Sequence, residues 1–196
     1  YSNHSINKHL KNKNIENENF IREIVYGVIE NKMYIDYIIS QASSIKLKKI
    51  HPTILEILRM GVYQIVFMDK IPNRAAVNEA VNLSKKHGHK GISGFVNGVL
   101  RNISKNKEKL MMVDNKNEVD FLSIKYSHPK WMVETWLKNY GFEFTEKLCK
   151  ENNSKAKLNI RVNTLKINKE ELMERLSEYN VHETKYAKDG IVIDNP

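Results

Sequence analysis

Residues Ile71–Lys105 read IPNRAAVNEAVNLSKKHGHKGISGFVNGVLRNISK, and this stretch decides between a small-ligand loop and a pair of packed helices. It holds four of the chain's eight glycines, Gly88, Gly91, Gly94 and Gly98, beside Lys85, Lys86, Lys90, Arg101 and Lys105. A phosphate-binding loop needs Gly-x-x-x-x-Gly-Lys-Ser/Thr after a strand, and a dinucleotide fingerprint needs Gly-x-Gly-x-x-Gly after a strand. Neither spacing occurs, and the residues before Gly88 carry a helical period. The stretch therefore reads as a helix ending at Gly88, a turn, and a second helix. Pro72 sets the boundary on the upstream side, because it biases Ile71 away from helical geometry.

The two helices have separable faces. In the second, Ile92, Phe95, Val96, Val99 and Ile103 form one stripe, which faces a core. Gly94, Gly98, Arg101 and Lys105 follow at i, i+4, i+7 and i+11, roughly opposite. They make a flat shelf beside two cations, where another backbone can approach: RNA, a further domain, or a packed second element. In the first helix Val77, Ala80, Val81 and Ser84 phase to the core, and Arg74, Asn78, Asn82 and Lys85 lie on a flank. Cations with amides suit phosphate and ribose contacts, although an ordinary solvated face has the same composition. The candidate nucleic-acid residues of this half are Arg74, Asn78, Asn82, Lys85, Lys86, Lys90, Arg101 and Lys105.

Working outward, residues 1–19 are polar with isolated apolar side chains and read as a mobile or truncated segment. From Phe20, apolar residues recur at helical spacing through Ile29, and Tyr34, Ile35, Ile38 and Ile39 give a second short helix. HPTILEILRMGVYQIVFMD reads as a long buried helix with Pro52 in its first turn. Five helices without a strand pattern make residues 20–105 an all-α bundle. Residues 106–125 are rich in Lys, Asn and Glu at their start and read as a linker. A helical pair follows, with Pro129 in the first turn, Gly141 as a stop, and Trp131, Trp136, Leu137 and Tyr140 as buried mass. KLNIRVN then alternates as a strand, Asn168 with Glu171 marks a helix start, and two weaker strands flank Asp189-Gly190. Residues 126–196 are thus a helical pair plus an incomplete β-α-β-β layer of ferredoxin-like or RNA-recognition type. The expected class is mainly α: a helical bundle followed by the start of an α+β domain. The missing second layer helix makes the sequence read as part of a longer protein.

Composition agrees. The net charge is +9, and it is unevenly placed. Residues 1–105 carry 16 Lys+Arg against 8 Asp+Glu, whereas residues 106–196 carry 16 against 15. A positive field concentrated in one half favours polyanionic partners. One cysteine, Cys149, excludes an internal disulfide framework and fits the cytoplasm. No apolar run approaches a membrane span, so no membrane partner is expected. His87 and His89 flank Gly88 without carboxylate or thiol at ligand spacing, so no metal site is expected.

NEAV and FVNGVL, at their separation here and with ILEILRMGVYQIVFMDKIP upstream, resemble the NusB fold. The later Pro129-x-Trp131-Met132-Val133, Trp136-Leu137-x-x-Tyr140-Gly141 and Leu158-x-x-Arg161-Val162-Asn163-Thr164-Leu165-Lys166 are similar to the segment after the NusB-like domain in Sun/Fmu-type ribosomal RNA cytosine-C5 methyltransferases. That resemblance implies an RNA-binding N-terminal region whose partners are ribosomal RNA and its own C-terminal methyltransferase domain. It places S-adenosylmethionine and the catalytic cysteines in that further domain, so residues 1–196 are expected to hold no catalytic residue and no cofactor. Cys149, lacking the family's preceding proline, reads as a packing residue. Arg161 belongs to the segment that in this family helps hold RNA, and joins the candidate RNA contacts. The alternatives are a NusB-type antitermination factor, against which the residues after 106 argue, and an intramolecular scaffold.

Overall fold

A computed structural model describes residues 1–11, 16–88 and 90–194, with Lys90 described by its backbone alone. His89 and the Lys90 side chain, both named above, lie outside the described residues. The chain forms two units, Tyr1–Asn153 and Ser154–Pro196.

The first unit is helical: α1 (Ser2–Leu10), α2 (Glu18–Glu30), α3 (Lys32–Ala42), a 3-10 turn (Leu47–Lys49), α4 (Pro52–Phe67), α5 (Asn73–His87), α6 (Lys90–Lys105), α7 (Lys107–Met111), α8 (Glu118–Tyr126) and α9 (Lys130–Asn152). The apolar spacing explains the bundle. Ile35, Ile38 and Ile39 of α3, Leu58 and Val62 of α4, and Val96, Leu100 and Ile103 of α6 are completely buried in one core. Each large side chain removed from water stabilises the fold by about 1.5–3 kcal/mol before entropy is counted. Pro52 occupies the first turn of α4, where its missing N–H leaves no helical bond broken.

Two contacts fix α2 and α3 on α4. A Cβ on Gly27 would lie 2.0 Å from Cζ of Tyr63, so glycine lets the Tyr63 ring lie against the α2 backbone. Tyr63 in turn stacks on Phe67, with ring centroids 5.3 Å apart. Arg59, only 8% exposed, donates from Nε and Nη2 to the two carboxylate oxygens of Asp36, each at 2.7 Å. Its Nη1 donates to Glu56 at 2.5 Å. These carboxylates, the Asp36 hydrogen bond first, hold the guanidinium above its ordinary pKa.

Three expectations need correction. The opening is helical: Ile6 and Leu10, four residues apart, are both buried, and Nη1 of Arg22 donates to Oδ1 of Asn7 at 2.9 Å. The supposed linker contains α7 and α8. The Tyr34 and Tyr37 hydroxyls of α3 donate to the carbonyls of Met111 and Met112, both at 2.8 Å, so the end of α7 is tied to the bundle. In α9, Trp131 and Tyr140 are 66% and 56% exposed, and the buried residues are Val133, Thr145 and Cys149, with Trp136 and Leu137 half-buried. Trp131 lies two residues, about 200° of helix, from Val133 and so points away from the seam with α8. Tyr140 packs against exposed Phe144 with the rings tilted by 39° and their centroids 4.8 Å apart, instead of entering the core. Gly141 does break α9, at φ 74° and ψ 177°.

The second unit contains β1 (Leu158–Arg161), α10 (Lys169–Arg175), β2 (Asn180–Glu183) and β3 (Gly190–Asp194). The sheet is antiparallel in the order β1-β3-β2, with Ile160 opposite Ile191 and Val181 opposite Ile193. β3 is central, and Gly190, Ile191, Val192 and Ile193 are its buried residues. Oδ1 of Asn168 caps α10 by accepting from the Glu171 N–H at 2.7 Å. Glu171 completes no reciprocal box; its carboxylate accepts from Arg175. The mainly helical chain ending in a small sheet is the class the sequence leads one to expect.

Candidate functional site

α5 and α6 pack side by side, and the N-terminal turns of α5 meet the C-terminal turns of α6. Between them runs an open groove of about 500 Å³, lined by Asn73, Arg74, Val77, Asn78, Asn97, Arg101, Ser104 and Lys105. The phases of the two helices explain it. Val77 and Ala80 of α5 and Val96, Val99 and Leu100 of α6 turn into the core, which leaves the polar residues of both helices on the outer rim. Four of the predicted residues, Arg74, Asn78, Arg101 and Lys105, are thereby brought together.

The electrostatics of the groove are one-sided. Among the described residues three cations line it and no carboxylate does. Arg22, Arg59 and Arg175 each sit in an ion pair. Among the described residues, Arg74, Arg101 and Lys105 have neither an ion pair nor a hydrogen bond to another side chain. Their charge is available to a ligand, and α5 contributes the positive end of its dipole with no acidic residue in its first turn. Such a groove can hold an anion whose charges repeat along its length.

The rest of the predicted set does not converge there. Lys85 is exposed and reaches only Oδ1 of Asn82, at 3.5 Å. Asn82 and Lys86 line a separate depression with Met60, Gln64 and Glu79, between α4 and α5. Arg161 belongs to the second unit, in a depression beside Asn159, Tyr186 and Lys188. Asn73, Asn97 and Ser104 were not expected. Asn97 and Ser104 stand four residues before and three after Arg101, so extending that stripe along its own helix would have found them.

The glycines divide by role. A Cβ at Gly88 would come within 2.6 Å of Cδ1 of Ile92, so this position needs close packing; its φ of −164° is extended, not left-handed. Around Gly94 and Gly98 a Cβ would meet nothing within 4 Å. No second element among the described residues packs on the shelf. Cys149 is fully buried, and burial, then Glu146, pushes its thiol up. Among the described residues no three His, Cys, Asp or Glu side chains are grouped to hold a metal. No helix among them is long and apolar enough to cross a membrane.

Residues 1–105 match the model of the NusB family, and residues 128–196 match the Methyltr_RsmF/B-like, ferredoxin-like domain. The chain belongs to the NusB family, carried here on a chain that continues into the ferredoxin-like domain. More particularly, it is 36% identical to "Probable ribosomal RNA small subunit methyltransferase B" of Bacillus subtilis (strain 168), over 97% of this chain and 43% of that protein. The protein of the same description from Synechocystis sp. is 34% identical over 86% of this chain and 37% of its own length. "Transcription antitermination protein NusB" of Clostridium novyi is 44% identical, but over only 47% of this chain and 71% of that protein. The crystal structure of PH0851 shares the fold over 99% of this chain and 43% of that one, with a TM-score of 0.59 at 22% identity. The chain thus spans less than half the length of its methyltransferase relatives, and similarity to them, unlike similarity to the antitermination factor, runs across both units.

Proposed function

We propose that this chain is the RNA-binding N-terminal region of an S-adenosylmethionine-dependent small-subunit rRNA cytosine-C5 methyltransferase. It binds rRNA and orients it for methylation by a C-terminal domain of the same protein. The observation that carries this reading is the carboxylate-free α5–α6 groove, where Arg74, Arg101 and Lys105 stand unpaired beside amides. The names of the relatives that match across both units support it. The described residues offer no strand leading into a glycine-rich turn and helix for the methyl donor. Accordingly, no chemical step is assigned to them, and their contribution is binding energy and orientation. The lone buried cysteine suits action in the cytoplasm.

A filter-binding titration over a range of salt tests the reading. Arg74→Ala and Arg101→Ala should each weaken binding to a small-subunit rRNA oligonucleotide and lower the salt slope by about one unit. If the double variant bound with unchanged affinity and slope, the groove would not be the RNA face. An unpaired cationic groove would then have to serve as a scaffold surface.

A further inference from the structure

The groove carries more than charge, and its side chains say which part of a nucleic acid it meets. Among the described residues the only apolar side chain lining it is Val77, and no aromatic ring lines it. Modules that read unstacked bases commonly stack them on aromatic rings while bonding their edges, and lose about tenfold for each wrong base. Here the cations alternate with short polar groups. Asn73 and Arg74 are adjacent on α5, with Asn78 one turn on; Asn97 precedes Arg101 by one turn on α6. Among the described residues the side chains of Asn73, Asn78 and Asn97 make no hydrogen bond. An Asn amide can donate to and accept from a hydroxyl at once, whereas a phosphate offers acceptors only. Asn73 and Asn97 are half-buried, and a half-buried amide left without partners is best satisfied by a ligand group of matching donor-acceptor character.

Resting on the proposed RNA-binding role, we infer that this groove is a ribose-phosphate site. Arg74, Arg101 and Lys105 take phosphates and Asn73, Asn78 and Asn97 take ribose 2′-hydroxyls, so that it separates RNA from DNA while ignoring base sequence. The 2′-hydroxyl is the group by which a protein tells the two backbones apart. The test uses the 196-residue chain with a short single-stranded small-subunit rRNA oligonucleotide, DNA of the same sequence, and the RNA with its bases scrambled. Fluorescence anisotropy is read at two salt concentrations, with far-UV circular dichroism confirming that variants stay helical. The RNA should bind at least about fivefold tighter than the DNA, the loss expected for one hydrogen bond. Scrambling should change affinity by less than about twofold, against the tenfold of a base reader. Asn78→Ala with Asn97→Ala should bring RNA down towards DNA, leaving DNA affinity and the salt slope alone. Equal binding of RNA and DNA by a chain that still depends on Arg74 and Arg101 would overturn the ribose assignment while keeping the groove. Strong sequence dependence, or Asn variants with undiminished RNA binding, would overturn it too. Loss of all dependence on Arg74 and Arg101 would remove the groove itself.

Discussion

Arg59 holds Asp36 with two parallel hydrogen bonds, Nε to Oδ1 and Nη2 to Oδ2, across the interface between α3 and α4. The pair sits at the edge of the core: the Arg59 side chain is 9% exposed and that of Asp36 23%. Removing one partner strands the other charge in a poorly solvated place, and the two-bond geometry belongs to the planar guanidinium. Arg59→Ala should lower stability by about 2–3 kcal/mol, somewhat below the loss for a fully buried pair. Arg59→Lys should recover only part of it. Urea melts followed by helical circular dichroism measure both.

Two glycines should respond in opposite directions. Gly27→Ala drives a methyl group into the Tyr63 ring, which is itself backed by Phe67, and overpacking of this kind costs about 1–3 kcal/mol. Gly98→Ala places its methyl in open space on a helix interior and should stabilise by about 1 kcal/mol. Gly98→Leu should also fold. If the shelf carries RNA, that variant binds more weakly in the filter assay; unchanged affinity would show that RNA does not cross it.

Glu146 makes the acid side of the stability curve informative. The Tyr126 hydroxyl donates to its carboxylate at 2.9 Å, and Lys125 lies 3.2 Å away. That hydrogen bond first, and Lys125 after it, hold Glu146 below the ordinary carboxylate value of 4.5. The folded chain therefore binds a proton here less readily than the unfolded chain. Its stabilising contribution is complete above that ordinary value and is lost as pH falls through the lower folded value. Glu146→Gln should be less stable than wild type at neutral pH, and the gap should close on acidification. A gap independent of pH would contradict the assignment.

Cys149 should be chemically silent. Its thiol is buried and its pKa raised, so little thiolate forms and reagents have no access. A thiol-reactive chromophore should label the native chain very slowly at neutral pH and rapidly after unfolding in urea.

Much of the groove was legible because helical phase is local information. Arg74 and Asn78, and separately Arg101 and Lys105, could be placed on outward faces from spacing alone. Lys85 shares the phase of Arg74, but eleven residues of helix carry it about 16 Å further along the axis, past the end of the groove. Asn82 and Lys86 are rotated by about 80° and 120° from Arg74, which turns them towards α4. The Arg59–Asp36 pair was not legible. Its partners are 23 residues apart, and an arginine within an apolar run gives no sign of which helix will supply its acid. Trp131 misled because aromatic type suggested burial while its position relative to Val133 put it on the other side. The polar opening and the region around α7 misled by composition, since two apolar side chains or two tyrosine hydroxyls suffice to anchor such short helices.

The strand order of the second unit has a consequence for synthesis. Among the described residues β1 and β2 each pair only with β3, and β3 is the last of the three to be made. A ribosome that has produced β1, α10 and β2 has produced two strands with nothing to bond. The sheet can close only when Gly190–Asp194 has left the exit tunnel and slipped between them. The helical unit, built mostly from neighbouring helices and emerging first, can be folded by then. A stall or nick a few residues before Gly190 would leave a finished bundle trailing two unmatched strand edges, a species open to capture by chaperones or by other unpaired strands.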